Sequence, residues 1–330
     1  MDPQELLDRY AAGEIHFRGI ALMGADLSNR DLIGVDLHKA DLENVDLTLA
    51  YLNRVNLQQA NLSRAQLPGA NLNQAILSKA NLADANLHGA SLQGADLRSA
   101  QFTLADLMDA NLMDADLRNA DLSGANLTGA CLRGANFRQE KRQYGANLRG
   151  ANLHQADLEG ANLRGADLAF VNLSYANLTA VSLRGADLHG ANLMGARLVD
   201  ANIADAILAG ANLQRANLTG VSANRTNFSG ANLAQVQLMG ARLIEAKLSQ
   251  VNLVKANLTQ AQINRSDLSR SDLTGANLQQ ASLVEAYLGR TNLEEANLTE
   301  AILTRAEMSS ANLLNAILAG ATMPDNSRHS

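Results

Sequence analysis

A leucine, or a residue of similar bulk, recurs every five residues from Phe17 to Met323. One register runs through Leu22, Leu27 and Leu32 to Phe137, and a second, shifted by one residue, runs from Leu148 to Met323. Asn or Asp commonly precedes each centre, and the position before that is small, as at Ala70, Ala75, Ala80 and Ala85, so the unit reads A-[N/D]-L-x-x. A period of five fits neither the 3.6 of a helix nor the alternation of a strand, so no straight element can bury every centre. The chain has to turn at each unit. Four units per circuit would point every centre and its small companion at the axis, and circuits would stack at the strand spacing of roughly 4.8 Å. The expected fold is all-β: a quadrilateral parallel β-helix, a solenoid whose core is narrow and built from identical small parts. The registers hold 25 and 36 centres, which makes about 15 coils and a rod roughly 70 to 75 Å long.

The ends and breaks divide the chain. Asp2 as N-cap, Pro3 at the first helical position, Glu5 three residues past the cap and Gly13 as a stop predict a capping helix over 1–13. Its apolar side, Leu6, Leu7 and Tyr10, would cover the first coil. The first register then occupies 14–138, an interruption 139–145, the second register 146–323, and a polar tail 324–330. Eleven residues separate Phe137 from Leu148 and the segment between lacks an apolar centre, so one unit is expected to be missing and a loop to bulge from one face. Arg30 stands at a small inward position and should reach out of the axis toward Asp8 or Glu14, since an unpaired buried charge is costly. Ala223 replaces a central leucine, with Phe228 in the next unit to compensate, and Ser266 and Ser271 take small inward positions.

Composition narrows the chemistry. There is no tryptophan, and Cys131 stands alone, which excludes an intramolecular disulfide and a multi-cysteine metal site. No apolar run approaches the ~18 residues of a membrane span, and the start lacks the pattern of a secretory signal, so no membrane insertion and a cytoplasmic location are expected. His16, His38, His88, His154, His189 and His329 fall on different faces without metal-ligand spacing. Asn and Asp recur because the turns use them, and a convex rod offers no cleft to tune a carboxylate. Neither an enzyme nor a bound cofactor is expected.

Ala25-Asp26-Leu27, Asn81-Leu82 after Ala80, and GANLRGADL over 160–168 carry a resemblance to the pentapeptide repeat family, and it covers more than nine tenths of the chain. The resemblance implies a right-handed quadrilateral β-helix. The start, Asp2 to Leu7 leading into Phe17-Arg18-Gly19-Ile20, looks like proteins abundant in cyanobacteria. Family members that act on topoisomerases use loops projecting from such a helix, and others bind gyrase as mimics of DNA. Both possibilities bear on this chain as implications of the resemblance.

Four surfaces are candidate partner contacts. Glu140, Lys141, Arg142, Gln143 and Tyr144 make up the interruption; Arg98, Arg118 and Arg138 form a column at twenty-residue spacing, with Arg149, Arg164 and Arg184 near the break. This basic band is interleaved with Asp96, Asp116, Asp157 and Glu159, which reads equally as a mixed solvated surface. Leu104, Met108 and Met113 within one coil, and Phe170 with Tyr175, are apolar residues the core does not need. Leu313, Leu318 and Met323 lie next to a tail too short to cover them, so a homodimer joined end to end through the C-terminal coils is a further expectation. The function these features favour is a non-catalytic rigid scaffold for an unidentified protein partner. The alternative is a DNA-mimicking regulator of a DNA-binding enzyme such as a type II topoisomerase. Residues 1–139 hold 17 acids against 11 bases, and Asp26, Asp41, Glu43, Asp46, Asp106 and Asp109 lie on two adjoining faces. A net charge of −6 is nevertheless far from the roughly 40 charges that duplex DNA carries over such a length. Direct nucleic-acid binding is not expected.

Overall fold

The computed structural model describes residues 1–138 and 145–329. The chain forms two compact units, Met1–Asp167 and Leu168–Ser330. The first opens with α1 (Pro3–Ala11), whose start is capped by the Asp2 carboxylate, 3.2 Å from the Gln4 amide that donates to it. Leu6 is fully buried beneath the helix, and the Tyr10 hydroxyl donates to the Ile33 carbonyl at 3.1 Å. The Arg9 guanidinium bonds Glu14 at 2.6 Å and lies 5.4 Å from the ring centre of Phe17. The predicted cap is thus in place, clamped to the first circuit by apolar burial and by one ion pair.

Within each unit, the residue before a centre pairs in parallel with its equivalent twenty residues on: His16 with Asp36 and Asp36 with Asn56 in the first, Asn172 with Asn192 and Asn192 with Asn212 in the second. Four pentapeptides therefore make each circuit. Among the described residues the pairing consists of isolated bridges, with no extended strand. The cause lies in the unit itself. Each centre is followed by two turn residues, the second in the left-handed region, as at Asn44 (φ 55°) and Gly34 (φ 71°), which leaves one residue per side free to pair. The all-β expectation holds as parallel pairing between circuits; the stacked strands it suggested are reduced to single rungs.

Centres and their small companions fill the axis. Leu27, Leu32 and Leu52 are fully shielded, as are Ala50, Ala65 and Ala70, and each leucine contributes roughly 1.5 to 3 kcal/mol before chain entropy is subtracted. Ala223 and Phe228 are both fully buried in adjoining units, a small centre followed by a large one.

At the interruption the pairing interval lengthens, with no rung between Asn136 and Asn147 among the described residues. Asp121 pairs with Asn147, Asn126 with Asn152, Cys131 with Asp157 and Asn136 with Asn162, all twenty-six residues apart. Every side of the circuit is kept, and six residues are added between Arg138 and Gly145. Gly145 marks the re-entry: a Cβ there would collide with the Gly165 carbonyl and stand 3.1 Å from the Ala166 Cα. No larger residue fits that backbone approach.

Arg30 does reach out of the axis and is exposed. Hydrogen bonds from Ser28 hold the Asp26 carboxyl below its usual range and the Arg30 charge adds a smaller pull; Glu14 is held by Arg9 and Asp8 accepts from Gln4. The inward hydroxyls find partners across circuits. Ser266 Oγ donates to the Leu243 carbonyl and Ser271 Oγ to that of Leu248, each at 2.5 Å, and Thr226 and Thr291, which the pattern did not single out, bond Ile203 and Leu268 in the same way. The tail also does more than its length suggested: Thr322 pairs antiparallel with Arg328, the Gly320 amide donates to the His329 carbonyl and the His329 amide to that of Ala321. Leu313, Leu318 and Met323 nonetheless stay half-buried, as Met308 does, unlike the sealed centres up to Leu303.

Candidate interaction surface

The Asn and Asp before each centre are committed to the turns. Their side-chain oxygens accept the amide two residues on, as Asp46 does from Thr48 at 2.9 Å and Asn81 from Ala83 at 3.1 Å. Many also link circuits: Asn61 donates to Asp41, and Asn81 to Asn61, each at 3.1 Å. The acids considered as a DNA-like strip belong to this scheme. Asp26, Asp41 and Asp106 accept the amides of Ser28, Glu43 and Met108, Glu43 bonds Arg64 at 3.3 Å, and Asp109 leans over Gly129. The amide bonds fix these carboxylates in place while leaving their charge, and Glu43 is the one paired with a cation.

The basic column is likewise interleaved. Arg98 forks onto Asp96 with two contacts of 2.7 Å and comes within 3.8 Å of Asp116, to which Arg118 bonds at 2.7 Å through Nε. The Arg98 hydrogen bond leads the causes that hold the Asp96 carboxyl below its ordinary value. Arg138 and Arg149 are exposed on neighbouring sides at either end of the interruption, and Arg164 follows Arg138 in the column. Arg184, in the second unit, pairs with Asp205 at 3.2 Å. Glu140, Lys141, Arg142, Gln143 and Tyr144 lie outside the described residues.

Leu104, Met108 and Met113 occupy three successive sides of one circuit, so the structure does not gather them on one face. Leu104 is 64% exposed, while the two methionines are half-buried. Phe170 and Tyr175 occupy adjoining sides of the second unit, each 55% exposed and each in the left-handed region, with φ of 58° and 59°. The Phe170 ring meets His189 edge-on, with centres 4.7 Å apart. Among the described residues no group of three or more His, Cys, Asp or Glu could hold a metal ion, and no helix is long and apolar enough to cross a membrane.

One feature of the second unit escaped the linear reading. The second turn position on one side carries Asp205, Arg225, Glu245, Arg265, Glu285 and Arg305 on consecutive circuits. Their charges alternate without a fault. Arg225 bonds Asp205 at 2.7 Å, Arg265 bridges Glu245 at 3.6 Å and Glu285 at 3.2 Å, and Arg305 bonds Glu285 at 2.8 Å. Beside Arg225 the Asp205 carboxyl is held below its usual range and the Arg225 guanidinium above its own. The alternation becomes visible in sequence once residues are read at intervals of twenty.

Five-residue turns, four to a circuit, with many Asn and Asp side chains bonded to the turn amides, define a repeat solenoid whose side chains stand in columns. A family model described as pentapeptide repeats matches in eight copies, in segments from 14–48 to 281–320, and the chain belongs to that family. Among solved structures it is similar to HetL, a pentapeptide repeat protein involved in heterocyst differentiation regulation from the cyanobacterium Nostoc sp. strain PCC 7120, at 29% identity over 100% of both chains with a TM-score of 0.32. A trypsin-treated form of QnrB1, a plasmid-mediated fluoroquinolone resistance protein, is 22% identical over 56% of this chain and 88% of its own, with a TM-score of 0.39. Rfr23, from the cyanobacterium Cyanothece 51142, is 26% identical over 54% of this chain and 92% of its own, with a TM-score of 0.12. No curated protein sequence matches the chain.

Proposed function

We propose that this protein is a non-catalytic scaffold, a right-handed coil of about fifteen circuits that presents side chains in straight columns to a protein partner in the cytoplasm. The observation that carries the reading is the twenty-residue pairing within each unit: side chains twenty residues apart stand one above another at the strand spacing of roughly 4.8 Å. A partner can read such a column as it would a ruled edge. The Asn and Asp that might suggest chemistry are held in turns, so recognition falls to residues at the two turn positions. Phe170 and Tyr175 are the strongest anchors, because they are large, exposed and fixed by neighbours. DNA mimicry has less behind it, since a net charge of −6 is far below that of a duplex of similar length and Glu43 of the acidic strip is paired with Arg64.

The test is affinity capture from the native host, comparing the intact protein with Phe170→Ser/Tyr175→Ser and with a form lacking 139–144. A protein partner lost from either variant supports the scaffold reading and locates its contact. Partners indifferent to both changes, or turnover of a substrate abolished by one Asp or Asn substitution, would count against it.

A further inference from the structure

The second unit carries two very different columns of charge. On one side, Asp205 to Arg305 alternate in sign and neutralise one another. On the next side, the equivalent turn position carries Gln250, Arg270 and Arg290 on consecutive circuits, so two arginines rise from backbones roughly 4.8 Å apart along the column. Among the described residues neither side chain makes an ion pair or a hydrogen bond. Like charges so placed raise the local potential, and the usual remedy, a carboxylate between them, is present next door and absent here.

The two arginines border a groove of about 400 Å³, lined also by Ser249, Gln250, Asp267, Ser269, Gly289 and Ser309. Small residues at the first turn position make it: Ser249, Ser269, Gly289 and Ser309 are stacked on four circuits, where other columns carry Met, His or Arg. Asp267 spends one oxygen on the Ser269 amide at 2.9 Å, and Glu307 one on the Ser309 amide at 2.9 Å. Asp267 itself lines the groove and the Glu307 carboxylate reaches over Gly289, 3.0 Å from where a Cβ there would stand, so an anion has to be held at the second turn position, by Arg270 and Arg290 together.

We propose that Arg270 and Arg290 form an oxyanion-binding site, taking the phosphoryl group of a small phosphorylated ligand, with the Ser249 and Ser269 hydroxyls as donors from the floor. Guanidinium groups bind phosphate through paired, charge-assisted hydrogen bonds, and two of them on a rigid frame are pre-organised for it. A planar carboxylate satisfies one guanidinium; the tetrahedral phosphoryl group has oxygens for both.

Titration calorimetry with inorganic phosphate and with pyrophosphate, at low salt, tests this. Saturable binding is expected, weakened about tenfold or more by Arg270→Gln and by Arg290→Gln, the loss of one charge-assisted contact. Arg265→Gln, in the alternating column, is expected to leave phosphate affinity unchanged, and circular dichroism should show all variants folded. No saturable binding of either anion, or equal weakening by Arg265→Gln, would overturn the site, as would selective binding of an acidic peptide with no response to phosphate.

Discussion

The ring of Phe170 lies across Gly190, twenty residues on: a methyl group at Gly190 would stand 2.7 Å from two of the ring's carbons. The same relation joins Tyr175 to Gly195, Leu49 to Gly69 and Leu104 to Gly124. A bulky residue at the second turn position leans onto the next circuit, and glycine there makes room. Gly190 also has a φ of +64°, a conformation that costs an L-residue about 1 to 2 kcal/mol. Gly190→Ala is therefore expected to lower the melting temperature for two reasons, backbone strain and displacement of the ring from His189. Phe170→Ala should remove the second and leave the first, so the double variant should be more stable than the sum of the single losses predicts. Strict additivity in thermal melts would mean that the ring does not depend on the glycine.

The alternating column should behave as a network. Glu285→Arg would put Arg265, residue 285 and Arg305 in a row of like charge, replacing two attractions by two repulsions. The melting temperature is expected to fall, more at low salt than at high salt, because exposed pairs are screened. The compensating Arg265→Glu/Glu285→Arg exchange restores attraction between those two positions while placing like charges beyond them, at 245 and 305, and should recover only part of the loss. A salt-independent loss would locate the cause in packing.

Much of this fold was legible because one physical constraint repeats: a buried leucine every fifth residue leaves the chain no option but to turn, and Ala70 and its equivalents show how close the backbones come. The capping helix was equally plain, as Asp2 and Pro3 are local signals. Relations between circuits were harder to read. Whether Gln139 to Gly145 replaces a side or is added to a complete circuit depends on which residue Asp121 pairs with, and no local pattern encodes a pairing twenty-six residues away. The surroundings of Arg30 turn on a nearer competitor: Arg9, five residues before Glu14, already holds that carboxylate. The interaction columns hid in plain view, since Arg270 and Arg290 look like isolated surface residues until the twenty-residue interval is imposed.

Asp36 sets a pH response at the first circuit. Burial alone would raise its carboxyl, but the Arg18 guanidinium at 2.5 Å, the His38 amide and His16 outweigh that and hold it below its ordinary value. A carboxyl depressed in the folded state adds stability above its unfolded pKa of about 3.9, and that stability is lost as pH falls through the lower, folded value. The first unit should thus loosen as the pH drops below about 4. Arg18→Gln should flatten this dependence while lowering stability at neutral pH, as followed by hydrogen exchange of the amides of residues 16–38. An unchanged pH profile in that variant would remove Arg18 from the account.

Two inward serines that look alike should differ on mutation. The amide of Ala246 has both Ser266 Oγ and the Leu243 carbonyl within 3.1 Å, so Ser266→Ala leaves it a partner and is expected to be nearly neutral. The amide of Val251 bonds Ser271 Oγ at 3.1 Å, and Ser271→Ala would strand it in the core at a cost of about 1 to 3 kcal/mol. Leu268→Ala, a cavity on the axis between them, should cost about 2 to 5 kcal/mol. Equal and small effects of both serine changes would mean that the circuit relaxes to bring the Val251 amide onto the Leu248 carbonyl.

The C-terminal circuit gives the last prediction. Centres of the second unit are sealed as far as Leu303, yet Met308, Leu313, Leu318 and Met323 are half-buried although the tail folds back onto Ala321 and Thr322. Their remaining apolar surface favours an apolar contact with a second copy. A concentration-dependent dimer is expected by light scattering at micromolar protein. Leu313→Lys should abolish it, because a charge placed at an apolar contact must be desolvated on association. Arg290→Gln, one circuit inward and on another side, should leave it intact. A monomer at every concentration, or a dimer insensitive to Leu313→Lys, would show that the folded-back tail is cover enough.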